Sequence, residues 1–118
     1  MTANKRTQSY LVAINSDQMG SGDKKLGQVL MKGFLYALTE QTNLPKTIIL
    51  YNSAVLLINE GSEVLADLRA LAAAGVKIYA CGTCIDFYGI PPKLKVGTVT
   101  NMYRIVEMLS EAEKVIQP

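Results

Sequence analysis

Val76-Lys77-Ile78-Tyr79-Ala80-Cys81-Gly82-Thr83-Cys84 is the stretch that decides the fold. Residues 76–80 are a short apolar run that reads as a strand, and they deliver Cys81 to its carboxyl end. A CxxC at that position is a place for sulfur chemistry. If the next residues turn into a helix, their backbone N–H groups lie beside a Cys81 thiolate and stabilise its charge. Cys84 follows one turn later and could close a disulfide with it. The chain has two cysteines and no His. That removes a Cys–His nucleophile pair and leaves too few thiolates to hold a tetrahedral zinc. No metal and no cofactor is expected.

Upstream, residues 10–14 form a short apolar run suited to a strand buried on both faces. Residues 15–23 are a turn-rich loop holding Gly20 and Gly22. Asp23 is a good N-cap for a helix through about residue 40. Its expected inward stripe is Leu26, Leu30, Phe34 and Leu38, widened by Val29 and Ala37. Residues 47–51 read as the second strand. Periodicity leaves residues 55–58 open between a short helix and an irregular apolar segment. Ser62 then caps a helix with Val64, Leu65, Leu68, Leu71 and Ala72 inward, and Gly75 stands where a left-handed C-terminal residue is wanted. Downstream, residues 85–89 read as one or two helical turns stopped by Pro91-Pro92. Residues 94–97 read as a short fourth strand. Thr100 or Asn101 caps a helix with the stripe Met102, Ile105, Val106 and Leu109, and residues 114–116 form a last strand. Strands alternating with helices predict an α/β domain with a parallel sheet covered on both faces. Chemistry in such sheets gathers beyond the carboxyl ends of the strands. The turns at residues 16–23, 52–55 and 81–84 all leave that edge.

At 118 residues the chain is one domain, and 49% hydrophobic with 19% charged residues fits a soluble globular protein. A net charge of +2 without a basic cluster argues against nucleic-acid binding. Residues 1–9 are polar, read as a flexible tail ahead of a domain spanning 10–118, and lack the apolar core of a secretory signal. No run is long enough to span a bilayer. The expected compartment is the cytoplasm, where a CxxC is more often reactive than a structural staple.

Gly20-Ser21-Gly22-Asp23-Lys24-Lys25 fails both the P-loop and the dinucleotide patterns and reads as a loop and helix cap that could line the thiol pocket. Asn52 and Ser53 could hydrogen-bond a bound anion or satisfy their own backbone. Gly82 leaves room for a donor, and Thr83 could donate to a sulfur anion or cap the helix. The bland reading of Cys81 and Cys84 is two small buried hydrophobes. Their spacing in a strand-to-helix turn favours a reactive pair.

The run Cys81-Gly82-Thr83-Cys84-Ile85-Asp86-Phe87-Tyr88-Gly89 resembles the cysteine segment of the DsrE/DsrF-like family, and especially the DsrE-like domain of YedF-type proteins linked to selenium metabolism. Ser16-Asp17, Met19-Gly20, Gly22-Asp23, Leu26-Gly27, Asn52-Ser53-Ala54-Val55, Gly61-Ser62, Lys95-Val96-Gly97 and Thr100-Asn101-Met102-Tyr103 extend the likeness over nearly all of residues 10–118. The resemblance implies a three-layer α/β/α fold with a parallel five-stranded sheet in the order 4-3-2-1-5. It implies a homo-oligomer and a persulfide on a cysteine just after the third strand, the position of Cys81. YedF-type proteins often carry a TusA-like sulfur-carrier domain upstream. Here nine polar residues stand there, so such a carrier is expected in trans, unless the chain acts alone or is a fragment.

The leading expectation is a sulfur (or selenium) relay, sulfurtransferase-like, in which Cys81 holds a persulfide and Cys84 resolves it. The alternatives are a dithiol–disulfide oxidoreductase and a non-catalytic oligomeric binding module. The first is weakened by the motif's late position and by the lack of an aromatic before it and a Pro inside it.

Overall fold

The computed structural model describes residues 6–118. Five strands form one parallel sheet: β1 (Arg6–Ile14), β2 (Asn43–Leu50), β3 (Lys77–Cys81), β4 (Thr98–Thr100) and β5 (Lys114–Ile116). Their order is β4-β3-β2-β1-β5, as the resemblance implied. β1 begins four residues ahead of the expected strand, so residues 6–9 of the expected tail belong to the sheet, and residues 1–5 lie outside the described residues.

Both faces of the central strands are covered. In β1, Val12 and Ile14 face a large core shared with Ile48, Leu50, Ile78 and Ala80. Leu11 and Ala13, offset by one residue, face a smaller cluster with Ile49, Cys81 and Ile105. This is the period-two alternation of a strand, with apolar residues on both sides because helices cover both sides. Helices α1 (Lys24–Thr39) and α2 (Leu65–Ala73) cover the large core. A 3-10 segment, Asn52–Ile58, settles the ambiguous apolar stretch and buries Ala54, Val55, Leu57 and Ile58. Helix α3 (Gly82–Phe87) follows β3 directly, and α4 (Met102–Glu111) covers the small cluster through Ile105.

Three expectations of detail are corrected. The buried face of α1 is Gly27, Met31, Leu35 and Leu38, with Phe34 half-buried, whereas Leu26, Val29, Leu30 and Ala37 are exposed. Apolar residues surround most of this helix, so two lines at helical spacing compete. Gly27 decides between them, since a Cβ there would stand 2.7 Å from the Gln18 Cβ and only a glycine lets the helix close down on that loop. In α4, Ile105 is buried but Met102 and Val106 are exposed. β4 is Thr98–Thr100 rather than residues 94–97, because the chain first turns at Gly97, φ 79°, against the edge of β3. Sheet pairing starts after that turn, with Thr98 opposite Tyr79.

The caps follow the sequence closely. The Asp23 carboxylate accepts from the Leu26 N–H at 3.0 Å, and the Asn101 side chain accepts from the Arg104 N–H at 3.0 Å. Gly75 is left-handed, with φ 104°. Ser62 is the exception: its Oγ accepts from the Val64 N–H at 3.3 Å in the turn before the helix, and the N-cap of α2 is Val64, which makes no side-chain capping bond.

Gly97→Ala is expected to destabilise by ~2 kcal/mol or more in urea unfolding, since it adds left-handed strain to a Cβ 2.8 Å from the Ile78 carbonyl oxygen. Gly61→Ala, equally left-handed at φ 86° but in open space, should cost only about 1 kcal/mol. Equal losses at the two sites would contradict the close packing of the β3–β4 edge.

Candidate functional site

The carboxyl edge of the sheet brings two of the three turns onto the thiols' side by direct bonds. Ser53 Oγ accepts from the Asp17 N–H at 3.2 Å, joining the loop after β1 to the loop after β2. The Asn52 N–H donates to Cys84 Sγ at 3.1 Å, joining the loop after β2 to α3. Asn52 reaches that position with φ 56°, and it is the one non-glycine with positive φ among the described residues. Asn tolerates that region better than most residues.

The two cysteines occupy different environments. Cys81 ends β3 and stands at the N-cap position of α3, but its side chain makes no capping hydrogen bond. It is only 3% exposed, turned under the sheet among Leu11, Ala13, Ile49 and Ile105. The expectation that the helix N–H groups serve a Cys81 thiolate is therefore corrected, since the Cys81 side chain makes no capping bond and is buried. The last residue of β3 alternates onto the α4 face of the sheet, and α4 covers it there. Cys84, in the first turn of α3, is half-buried and borders both cores. Both thiols are free, and they lie near enough for Cys81 to act on Cys84. Burial pushes the Cys84 thiol up, and so does Cys81 through both its neighbouring side chain and its charge, while the Asn52 N–H pulls it back down. The anion-stabilising donor at this site thus comes from the neighbouring loop and not from the helix that follows β3.

The other expected site residues divide. Asn52 and Ser53 are at the site, used as main-chain donor and side-chain acceptor between loops. Thr83 is exposed. Gly82 is partly exposed, and its Cβ direction faces the end of β4. A Cβ there would meet the Thr100 carbonyl oxygen and Val99 Cγ1, each at 3.2 Å, so the position is filled by the end of β4. Gly20 and Gly22 stand in open space. A cavity of about 300 Å³ beside their loop is lined by Asp17, Lys32, Leu56 and Glu63 but by neither glycine and neither cysteine. A groove of about 380 Å³ opens at the far ends of the strands, among Ser9, Lys46, Lys77 and Arg104, and also excludes both thiols. Among the described residues no cluster of three or more potential metal ligands occurs.

Sequence reasoning missed the wall around Cys81. Ile105 was read only as part of a helix stripe, and Val99 and Thr100 were not connected with Gly82. These contacts join residues about 20 apart in the chain, and no local pattern encodes them. Phe87, in the same helix as Cys84, is 82% exposed, and Tyr103, at the start of α4, is 90% exposed. The Phe87 and Tyr88 rings stack edge to face with centroids 5.1 Å apart.

The model of the DsrE/DsrF-like family matches residues 11–118. Among solved structures, the YchN protein from E. coli superposes with a TM-score of 0.69 at 20% identity, covering 94% of this chain and 99% of that one. A protein of unknown function, MTH1491 from Methanobacterium thermoautotrophicum, gives 0.66 at 19% identity, with coverages of 92% and 97%. BT1422 from Bacteroides thetaiotaomicron gives 0.63 at 19% identity, with coverages of 93% and 95%. At these identities the likeness is one of fold. No curated protein matches the chain.

Alkylation of the native protein should report Cys84, because Cys81 is sealed. The rate is expected to be low at pH 7 and to climb through and past the ordinary thiol range near about 8.5. Cys81→Ala removes two of the three influences that raise the Cys84 thiol, so its alkylation at pH 7.5 should accelerate. A slower or unchanged rate would contradict the influence of Cys81 on the Cys84 thiol.

Proposed function

The chain belongs to the DsrE/DsrF-like family, a family associated with sulfur relay, and from that premise we propose that it carries sulfur as a persulfide on the Cys81–Cys84 pair. One observation supports this reading above the others: two free thiols lie one helical turn apart, one buried and the other reaching the surface with a main-chain N–H on its sulfur. Cys84 is the thiol a donor can meet. As a thiolate it attacks the outer sulfur of a donor persulfide, forms a new S–S bond, and releases the donor cysteine as its thiolate. The Asn52 N–H stabilises the attacking anion. Cys81 then attacks the outer sulfur of the Cys84 persulfide. Cys84 leaves as a thiolate and takes up the proton lost by Cys81, and no net oxidation occurs. The sulfur now rests at the position the family resemblance assigned to it, in an apolar enclosure that shelters it from water and small reductants. Delivery to an acceptor reverses the two steps.

The same contact favours a second reading, dithiol–disulfide exchange. Attack of one thiol on the inner sulfur of the other's persulfide would expel hydrosulfide and leave a Cys81–Cys84 disulfide. In the relay reading this is a loss of cargo.

Donor and acceptor are proposed to be proteins, with a TusA-like carrier meeting the chain in trans at the Phe87 and Tyr103 side chains, which stand exposed on α3 and α4. A homo-oligomer is proposed to use the exposed line Leu26, Val29, Leu30 and Tyr36 of α1, which is too apolar for an isolated surface helix.

Brief incubation with a protein persulfide donor, followed by intact mass spectrometry, should add one sulfur to the wild type. Cys84→Ser should load slowly. Cys81→Ser should load promptly but lose its sulfur faster to dithiothreitol. A wild type that gains no sulfur would end the relay reading, and a Cys84→Ser variant loading at the wild-type rate would end the assignment of Cys84 as the receiving thiol. A selenium donor in the same assay tests the YedF-type side of the resemblance, and an insulin-reduction assay tests the exchange reading. Sedimentation should give a mass above the 12.8 kDa of one chain, reduced by Val29→Glu with Leu30→Glu. A wild-type monomer at tens of micromolar would refute the proposed interface.

A further inference from the structure

We propose that Asn52 is a positioning residue for the sulfur chemistry, its left-handed backbone aiming a main-chain N–H at Cys84 Sγ and so supplying the half-buried thiol with its anion-stabilising donor. This deepens the relay reading and rests on it for its purpose, although the geometry stands without it. The site lacks the donor set expected from the sequence. The helix that follows β3 makes no capping bond to the Cys81 side chain, and the N–H that reaches a sulfur comes from the loop after β2, at 3.1 Å.

That loop is held at both flanks. The Tyr51 N–H donates to the Ile14 carbonyl at 3.1 Å, continuing the β1–β2 edge, and Ser53 Oγ holds the Asp17 N–H at 3.2 Å. Between these two ties the chain must reverse toward α3, and it does so by placing Asn52 at φ 56°. The Asn52 side chain is exposed. What the position requires is a backbone conformation, which glycine supplies without strain, asparagine at small cost, and a β-branched residue only at high cost.

The surroundings of Cys84 leave this donor with the decisive part. From β3 and the start of α3, Cys81 is the titratable group that acts on it, and it disfavours the Cys84 anion. From the 3-10 segment the Asn52 N–H acts in the opposite sense. Asp86, further along α3, is exposed and does not figure among the groups acting on Cys84. Tyr51 packs against the same small cluster and gives its hydroxyl to a hydrogen bond from Gln117, at 2.8 Å.

The test is the pH profile of iodoacetamide alkylation at Cys84, with folding followed by urea titration. Asn52→Gly, which keeps the left-handed backbone and its N–H, is expected to reproduce the wild-type profile. Asn52→Val should slow alkylation at pH 7.5 by about fivefold, the factor equivalent to one typical net hydrogen bond, and move the profile to higher pH. A Val variant with the wild-type profile, or a Gly variant displaced as far as the Val variant, would overturn the proposal. Should the Val variant fail to fold, the unmodified protein decides. The Asn52 backbone ¹⁵N shift is expected to move with the Cys84 titration, and a shift that ignores that titration overturns the assignment. None of these readouts requires sulfur transfer, so their failure is distinct from failure of the relay reading, which the persulfide loading assay measures.

Discussion

Everything in this chain follows from burying a parallel sheet on both faces. In Leu11-Val12-Ala13-Ile14 every residue is almost wholly enclosed, and each successive side chain enters the opposite core. Parallel strands can be joined only by crossovers, and the crossovers supply the helices that do the enclosing. The two sides are unequal. α1, α2 and the 3-10 segment build a deep core on one side, while α4 alone closes a shallow one on the other. The inequality explains why Cys81 is sealed and Cys84 is not. Alternation along β3 sends Cys81 into the shallow side beneath Ile105, and one helical turn brings Cys84 back out between the two cores.

The thiol site is therefore a product of sheet geometry more than of the CxxC motif alone. The motif puts two sulfurs one helical turn apart. The sheet gives one of them shelter, the other access, and brings the loop after β2 close enough to place a main-chain donor on the accessible one. Hydrogen bonds between the loops, through Ser53 and Asn52, hold this edge together where no strand pairing extends.

The elements with strong local signals were legible in the sequence. Asp23 and Asn101 announced their helices as capping residues, Gly75 its turn, and the alternation of strands with helices the sheet class. The strand order came with the family resemblance. What local pattern could not reveal was decided by distant partners. Leu26-Leu30-Phe34-Leu38 and Gly27-Met31-Leu35-Leu38 fit a helix equally well, and the choice was made by Gln18 pressing on Gly27. The start of β4 was displaced by Gly97 turning against Ile78. The site followed the same division. The two cysteines and Asn52-Ser53 were singled out, but the burial of Cys81 depends on Ile105, and the N–H that serves Cys84 depends on one backbone angle in another loop.

Gly82, pressed against the Thr100 carbonyl and the Val99 methyl, has a consequence for how this motif can vary. Of the two residues between the sulfurs, one is closed to any side chain without displacing backbone, and the other, Thr83, projects into solvent. Adjustment of the pair's chemistry by substitution inside the motif is thus channelled through a single surface position, and larger changes must come from the loop after β2. A descendant of this sequence with a new redox or transfer preference would carry its distinguishing differences at residues 83 and 52 before it carried them anywhere else near the sulfurs.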